Sequence, residues 1–277
     1  MRAARNRPSV YAKYAFVYAL LLLFVTPFFL MVLNSFKTTQ QFVNSPFSLP
    51  ETLDFKNYAN AFAKMNFLRA ITNSAIVTAF SVLLIILTSS MTAHFLSRNK
   101  WRINAIIYAV FVTSMIVPFQ AVMIPLVSIY GNTLRLMNNK WILIFMYLGF
   151  GQAFAIFVFH GFIKNIPLEL EETALIDGCT KMQSFFKVVF PLLTPIIMTV
   201  LVLDVLWIWN DYLLPALVLL SPAERTLPLS TYAFFNSYSV DYAPLMAGLV
   251  LSILPVLVVY IFTQKKIIEG VVQGAIR

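Results

Sequence analysis

Six stretches of this chain are apolar for about twenty residues at a time, and nothing else in it restricts the fold so strongly. They cover residues 14–33, 71–94, 104–129, 141–163, 194–216 and 243–263. At a rise of 1.5 Å per residue, about twenty residues cross the roughly 30 Å hydrocarbon core of a bilayer. A segment in lipid must satisfy its own backbone polar groups, which leaves helices or a closed barrel. A barrel would need alternating strands of about ten residues, and runs such as Leu20-Leu21-Leu22-Leu23 do not alternate. The expectation is an all-α polytopic membrane protein with six transmembrane helices.

Composition points the same way. Only 11% of the residues are charged, against about 25% in a soluble domain, too few to cover a soluble globule. The net charge of +9 is spread between the apolar runs instead of forming one basic patch. That distribution suits loops facing an anionic leaflet and argues against a nucleic-acid partner. Cys179 is the sole cysteine, and His94 and His160 are the two histidines. No internal disulfide is possible, no metal-ligand spacing appears, and the histidines fall near helix ends with no assigned role.

Arg2, Arg5, Arg7 and Lys13 precede the first run, as in a signal peptide. That run exceeds the roughly 7–15 residues of a signal h-region and ends in Asn34-Ser35-Phe36-Lys37, so an uncleaved spanning helix is expected. With the N-terminus inside, thirteen Lys and Arg fall in cytoplasmic pieces and seven outside. The positive-inside bias therefore places both termini in the cytoplasm. The chain reads as a single membrane domain over 1–277: a cytoplasmic segment 1–13, a first helix 14–33, a five-helix core 70–263, and a cytoplasmic tail 264–277.

Two loops are longer than connection requires, the outer stretch 34–70 and the inner stretch 164–193. Loops of this length tend to be functional. In the inner one, Pro167 suits a helix start, and Glu169, Glu171 and Glu172 suit the positive end of the helix dipole. Leu170, Ala174 and Leu175 recur at helical spacing as an apolar face, and Gly178 supplies a terminating C′ glycine. A second short amphipathic helix runs from about Thr180 to Val189, and Pro191 and Pro195 lie where the chain re-enters the membrane. A helix–Gly–helix elbow of this kind suits docking into a groove on a partner.

The spacing of this elbow resembles that of ABC importer permeases, whose cytoplasmic loop reads Glu-Ala-Ala, three residues, Gly, nine residues, then Ile-x-Leu-Pro. Here Glu172-Thr173-Ala174 is followed by Gly178 and then by Val188-Val189-Phe190-Pro191. Thr173, Val188 and Phe190 depart from the pattern while roughly keeping size or apolarity. Further matches run along the chain: Asn34-Ser35-Phe36-Lys37, Asn73-Ser74, Pro118, Ile124-Pro125, Trp209-Asn210-Asp211, Pro215, Arg225-Thr226-Leu227-Pro228, and Glu269-Gly270 with Gly274. Together they look like the smaller six-helix subunit of maltose-type carbohydrate importers.

That resemblance implies a heterodimer with a second homologous permease, two ATP-binding cassette ATPase subunits inside, and an extracytoplasmic sugar-binding protein. ATP and Mg would be bound by the ATPases, and no cofactor by this chain, which lacks Gly-x4-Gly-Lys-Ser/Thr. It also implies that 167–191 is the coupling loop, with Glu172, Thr173, Ala174, Asp177, Gly178 and Pro191 as its ATPase-coupling residues. No catalytic or metal residue is assigned. In the fifth helix, Asp204 starts a face that continues through Trp207, Ile208 and Asp211. A carboxylate at mid-membrane costs about 2.5–3.5 kcal/mol on the insertion scale unless it faces protein or water. Asp204, Trp207, Asn210 and Asp211 are candidates for the substrate path, with helix packing as the other reading of Asp204 and an architectural or gating role as the other reading of Asp211. Phe235, Asn236, Ser237 and Tyr238 are candidates for an outer loop reaching the binding protein, with an interfacial aromatic belt as the alternative.

Two other classes fit less well. A self-sufficient secondary transporter should carry ion-pair or relay residues on several helices, and only the fifth has clear carboxylates. A membrane enzyme should show a nucleophile–base set or metal ligands. Among importers, polyamine, peptide and phosphate systems share the elbow. Glycerol phosphate is the second substrate expectation after a sugar, but a phosphate ester would want basic residues in the path, and the six runs hold essentially none.

Overall fold

The computed structural model describes residues 7–235 and 239–275. In chain order its helices are α1 (Arg7–Ser35), α2 (Thr39–Asn44), α3 (Lys56–Lys64), α4 (Phe67–Arg98), α5 (Arg102–Ser114), α6 (Phe119–Leu126), α7 (Lys140–Ile163), α8 (Glu169–Ile176), α9 (Lys181–Ser184), α10 (Phe190–Leu192), α11 (Thr194–Asn210), α12 (Leu213–Val218), α13 (Leu227–Ser230) and α14 (Tyr242–Ala275). Wider π turns follow α6 (Val127–Thr133) and α9 (Phe185–Val189). Among the described residues, extended pairing is limited to one isolated antiparallel bridge, Phe235–Val240.

All six apolar stretches are helical, but two are broken. α1, α4 and α7 are each long and apolar enough to cross a bilayer, and α14 begins with the apolar stretch Tyr242–Val258. The expected continuous helix over 104–129 instead stops at Ser114 and resumes at Phe119, with a bend of 96° between Arg102–Ser114 and Phe119–Thr133. A proline ring clashes with the carbonyl four residues earlier, and for Pro118 that carbonyl belongs to Ser114. Likewise 194–216 is not one helix. Pro215 would clash with the carbonyl of Asp211, and the chain leaves the helix there with Asp211 at φ −69° and ψ 133°. Pro191 and Pro195 flank a third bend, of 75°, between Lys181–Leu192 and Thr194–Asn210.

The chain forms two compact units, one of residues up to Phe67 with Thr231–Leu254, the other of Leu68–Ser230 with residues from Pro255 onward. In the first, residues 10–29 of α1 are exposed all round, the surface expected of a helix that faces lipid or another chain. The segment after it is fastened by Asn34-Ser35-Phe36-Lys37. Lys37 is 1% exposed, and its ammonium donates to Ser45 O (2.9 Å) and Pro46 O (3.0 Å). Asn57 Nδ2 donates back to Ser35 O (2.9 Å) and Lys37 O (2.8 Å), and Ser35 Oγ lies 2.7 Å from the Tyr58 hydroxyl. The motif thus folds residues 36–58 into a tied loop.

In the second unit, α4 and α7 meet through side chains. Gly151 faces Ile85, and Gln152 bonds Ser89 and Thr88 across the two helices. Packing against small residues and hydrogen bonds between helices are what helices in lipid use in place of a hydrophobic drive. Two other sequence motifs meet at the N-terminal end of α4. Asn73 Nδ2 donates to Ala223 O (3.0 Å) and Arg225 O (3.2 Å), and Ser74 Oγ accepts from Leu227 N (2.7 Å). Lys140, at the start of α7, donates to Asn73 Oδ1 (3.1 Å) and lies 3.6 Å from Glu224.

Candidate functional site

Residues 164–193 form the elbow. α8 carries Glu169, Glu171 and Glu172 in its first turn, where the unpaired N–H groups favour negative charge. It begins two residues beyond Pro167, after Leu168. Its end is a Schellman motif: Cys179 N donates to Ala174 O (2.9 Å) and Gly178 N to Leu175 O (3.1 Å). Gly178 sits at φ +89°, a conformation that glycine takes without a Cβ clash. The chain restarts at once with a capping box, in which Gln183 N donates to Thr180 Oγ1 (3.3 Å) and Thr180 N to Gln183 Oε1 (2.8 Å). Thr-x-x-Gln is the sequence spacing that such a box requires. The second arm widens into its π turn just before Pro191, which has no N–H to offer Lys187 O.

The two faces of the elbow differ. Glu171, Ala174, Ser184, Phe185 and Val189 are buried. Glu172, Thr173, Asp177, Gly178 and Pro191 are exposed, as are Leu175, Ile176 and Met182. The sequence pattern placed Leu170, Ala174 and Leu175 on one apolar face. Of these only Ala174 turns inward, one turn from Glu171, and Leu170 and Leu175 lie outside. The apolar residues of α8 are therefore largely free for another chain, and a carboxylate occupies the inward face.

That carboxylate was missed by sequence reasoning. Glu171 Oε1 accepts from Arg98 Nε (2.7 Å), and Glu171 Oε2 lies 2.7 Å from His94 Nε2. Arg98 also donates from its terminal nitrogen to Ile166 O (2.9 Å). His94 packs its ring against Phe185, centroids 5.0 Å apart. Helical spacing did signal that His94 and Arg98 share a face, but nothing in the sequence pairs them with a residue more than seventy positions away.

The fifth apolar stretch borders a cavity of about 800 Å³. Trp207 and Asp211 line it, with aromatic neighbours such as Phe119, Tyr130 and Phe150, and Ser114 at the α5 break. Asp204 and Asn210 do not line it. Asp204 is 3% exposed and buries an oxygen, Oδ2, without a hydrogen bond. Asn210 is exposed and donates to Leu206 O (2.7 Å). Asp211 accepts from the Tyr147 hydroxyl (2.8 Å) and from Leu213 N (2.9 Å). It thereby shapes the turn into α12, an aspartate-based turn that replaces the lost helical bonds. Tyr147 also meets Trp207 edge-on, centroids 5.6 Å apart.

The aromatic loop candidate is seen at its base. Phe235 is exposed and bridges Val240, Phe234 is fully buried, and Lys64 pairs with Asp241. Asn236, Ser237 and Tyr238 lie outside the described residues.

Comparison with known proteins follows from this architecture. The family model for "binding-protein-dependent transport system inner membrane component" matches residues 85–267. The chain is 43% identical, over 92% of its length and 93% of the relative's, to the "Probable starch degradation products transport system permease protein AmyC" of Thermoanaerobacterium thermosulfurigenes. It is 35% identical, over 92% and 93%, to the multiple sugar-binding transport system permease protein MsmG of Streptococcus mutans. It is 33% identical, over 100% and 92%, to the diacetylchitobiose uptake system permease protein NgcG of Streptomyces coelicolor. A chain of the crystal structure of a bacterial ABC transporter involved in import of the acidic polysaccharide alginate shares the fold, with a TM-score of 0.80 over 96% of this chain and 98% of that one at 22% identity. The chain belongs to the family of binding-protein-dependent transport system inner membrane components, the non-catalytic membrane part of ABC importers whose ATPase is a separate subunit.

Proposed function

We propose that this chain is the smaller permease subunit of a sugar importer in a bacterial or archaeal cell membrane, forming half of the translocation path. The observation that carries the coupling role is the elbow, a rigid two-armed element whose exposed face holds Glu172, Gly178 and Pro191 at the family's spacing. Its partners are a second permease in a heterodimer, two ATPases that bind ATP and Mg, and a sugar-binding protein outside. Both termini face the cytoplasm, in line with the positive-inside bias. Relatives named for starch products, multiple sugars and diacetylchitobiose favour an oligosaccharide as substrate. Trp207 and Asp211 are the path residues best placed for it, an aromatic face beside a carboxylate on one cavity. The loop rooted at Phe235 is the element offered to the binding protein.

Binding-protein docking and closure of the ATPases would push the elbow, and the permease would switch between outward and inward access. The test is ATP hydrolysis by the reconstituted complex, with its binding protein and a panel of oligosaccharides and glycerol phosphate. Stimulation by one sugar supports the reading. Stimulation by glycerol phosphate alone would replace the sugar, and transport by this chain without an ATPase would refute the importer.

A further inference from the structure

We propose that Arg98 and His94 of α4 grip the elbow so that elbow and α4 move as one body, making Glu171 the positioning residue that delivers the ATPase stroke to α4. The proposal rests on the coupling role of the elbow given above. By connectivity the elbow is joined to α7, through the turn 164–168, and to α11, through the bend at Leu193. α4 ends about seventy residues earlier and reaches the elbow only through side chains. Those contacts touch three separate parts of it: Arg98 holds the entering backbone at Ile166 O and the first arm at Glu171, and His94 meets the first arm at Glu171 and the second arm at Phe185.

The chemistry suits a grip more than a simple packing contact. The side chains of Glu171, Arg98 and His94 are 10%, 16% and 19% exposed. Short charge-assisted bonds are directional, whereas a buried ion pair is often no more stabilising than apolar groups of the same size. What the pair supplies that an apolar contact lacks is register: a guanidinium bonded at two acceptors cannot slide along the elbow. α4 in turn locks to α7 through Gly151 and Gln152, and α7 carries Tyr147, which holds Asp211 at the cavity wall. A push on the elbow therefore has a direct side-chain route into the helices that border the cavity.

The test uses the assembled complex with its ATPases. Spin labels are placed on the native Cys179 of the elbow and on Phe95→Cys, an exposed position of α4, and the distance is measured without nucleotide and with ATP trapped by vanadate. The expected result is one distance in both states for the otherwise native protein. For Glu171→Gln and Arg98→Gln the nucleotide-free distance should be unchanged, with a shift of several ångströms on trapping. The double variant should shift no further than either single one, since both remove one interaction. If a Gln variant does not assemble, Arg98→Lys keeps the charge but loses the planar fork that reaches Glu171 and Ile166 O together, and gives the same readout. A native distance that changes with nucleotide, or variants that keep one distance in both states, would overturn the grip. Failure of any ATPase to co-purify with the native chain would instead refute the importer reading, and the grip with it.

Discussion

Ile85 occupies the space that a side chain at Gly151 would need: a Cβ built there would lie 2.5 Å from Ile85 Cδ1. Ile85 is fully buried, so its side chain must shift within the packed interior to admit a methyl group. Gly151→Ala is expected to destabilise the α4–α7 pair by about 1–3 kcal/mol, the usual cost of overpacking. Ile85→Ala, which alone should cost about 2–5 kcal/mol, should cost less when added to Gly151→Ala, giving a sub-additive pair. Thermal unfolding in detergent is the measurement, and full additivity would show that the two residues do not share this contact.

At Gly178 nothing lies within 4 Å of a built Cβ, so the cost of substitution is conformational alone. Gly178→Ala should cost about 1–2 kcal/mol through the left-handed backbone, while Gly178→Asn, which tolerates that region, should cost less. Sugar-stimulated ATP hydrolysis should fall in the same order. Equal activity for Gly, Asn and Ala would mean that the elbow does not require its Schellman turn.

Ser74→Ala would leave the buried Leu227 N–H without its acceptor. A penalty of about 1–3 kcal/mol is expected, localised to the segment 219–230. Hydrogen exchange should quicken there and leave the middle of α7 unchanged. Uniform quickening would instead indicate a global loss of stability.

Lys37→Met keeps most of the side-chain volume and removes the ammonium that ties Ser45 O and Pro46 O. Limited proteolysis within 38–58 should become faster, and α1 should be cut no more readily than before. An unaltered cleavage pattern would show that Asn57 and Tyr58 hold the loop unaided.

Trp207 and Asp204 should separate in function. Trp207→Ala removes an aromatic face from the cavity wall and should raise the KM for sugar transport about 3- to 10-fold, as expected for a stacking contact of about 1 kcal/mol. Asp204→Asn, away from the cavity, should leave KM unchanged. The reverse pattern in transport assays would move the path to the other side of α11.

Much of this was legible in the sequence because it depended on local chemistry. Twenty-residue apolar runs gave the helices, and Gly178, Thr180 and Pro191 punctuated the elbow. Pro118 and Pro215 also marked the helix breaks, since each ring clashes with a fixed earlier carbonyl. Hydrophobicity alone runs straight through both, which is why the third and fifth stretches looked continuous. What could not be read were the pairings across the fold. Glu171 resembled one more dipole-favouring acid of a first turn, while its partners stood at the far end of another helix. The face of α8 was misjudged for the same reason: three apolar residues defined a stripe, and an ion pair decided which side turned inward. Asn73-Ser74 and Arg225-Thr226-Leu227 were visible as motifs, but only the fold showed that each completes the other.

That last pairing sets an order of events during synthesis. The acceptors and donor that Asn73 and Ser74 need are supplied by residues 223–227, so these two polar side chains leave the ribosome about 150 residues before their partners. Asn73 Oδ1 can meet Lys140 once the start of α7 is made, but the Asn73 amide N–H groups and the Ser74 hydroxyl reach these partners only when the last fifth of the chain arrives.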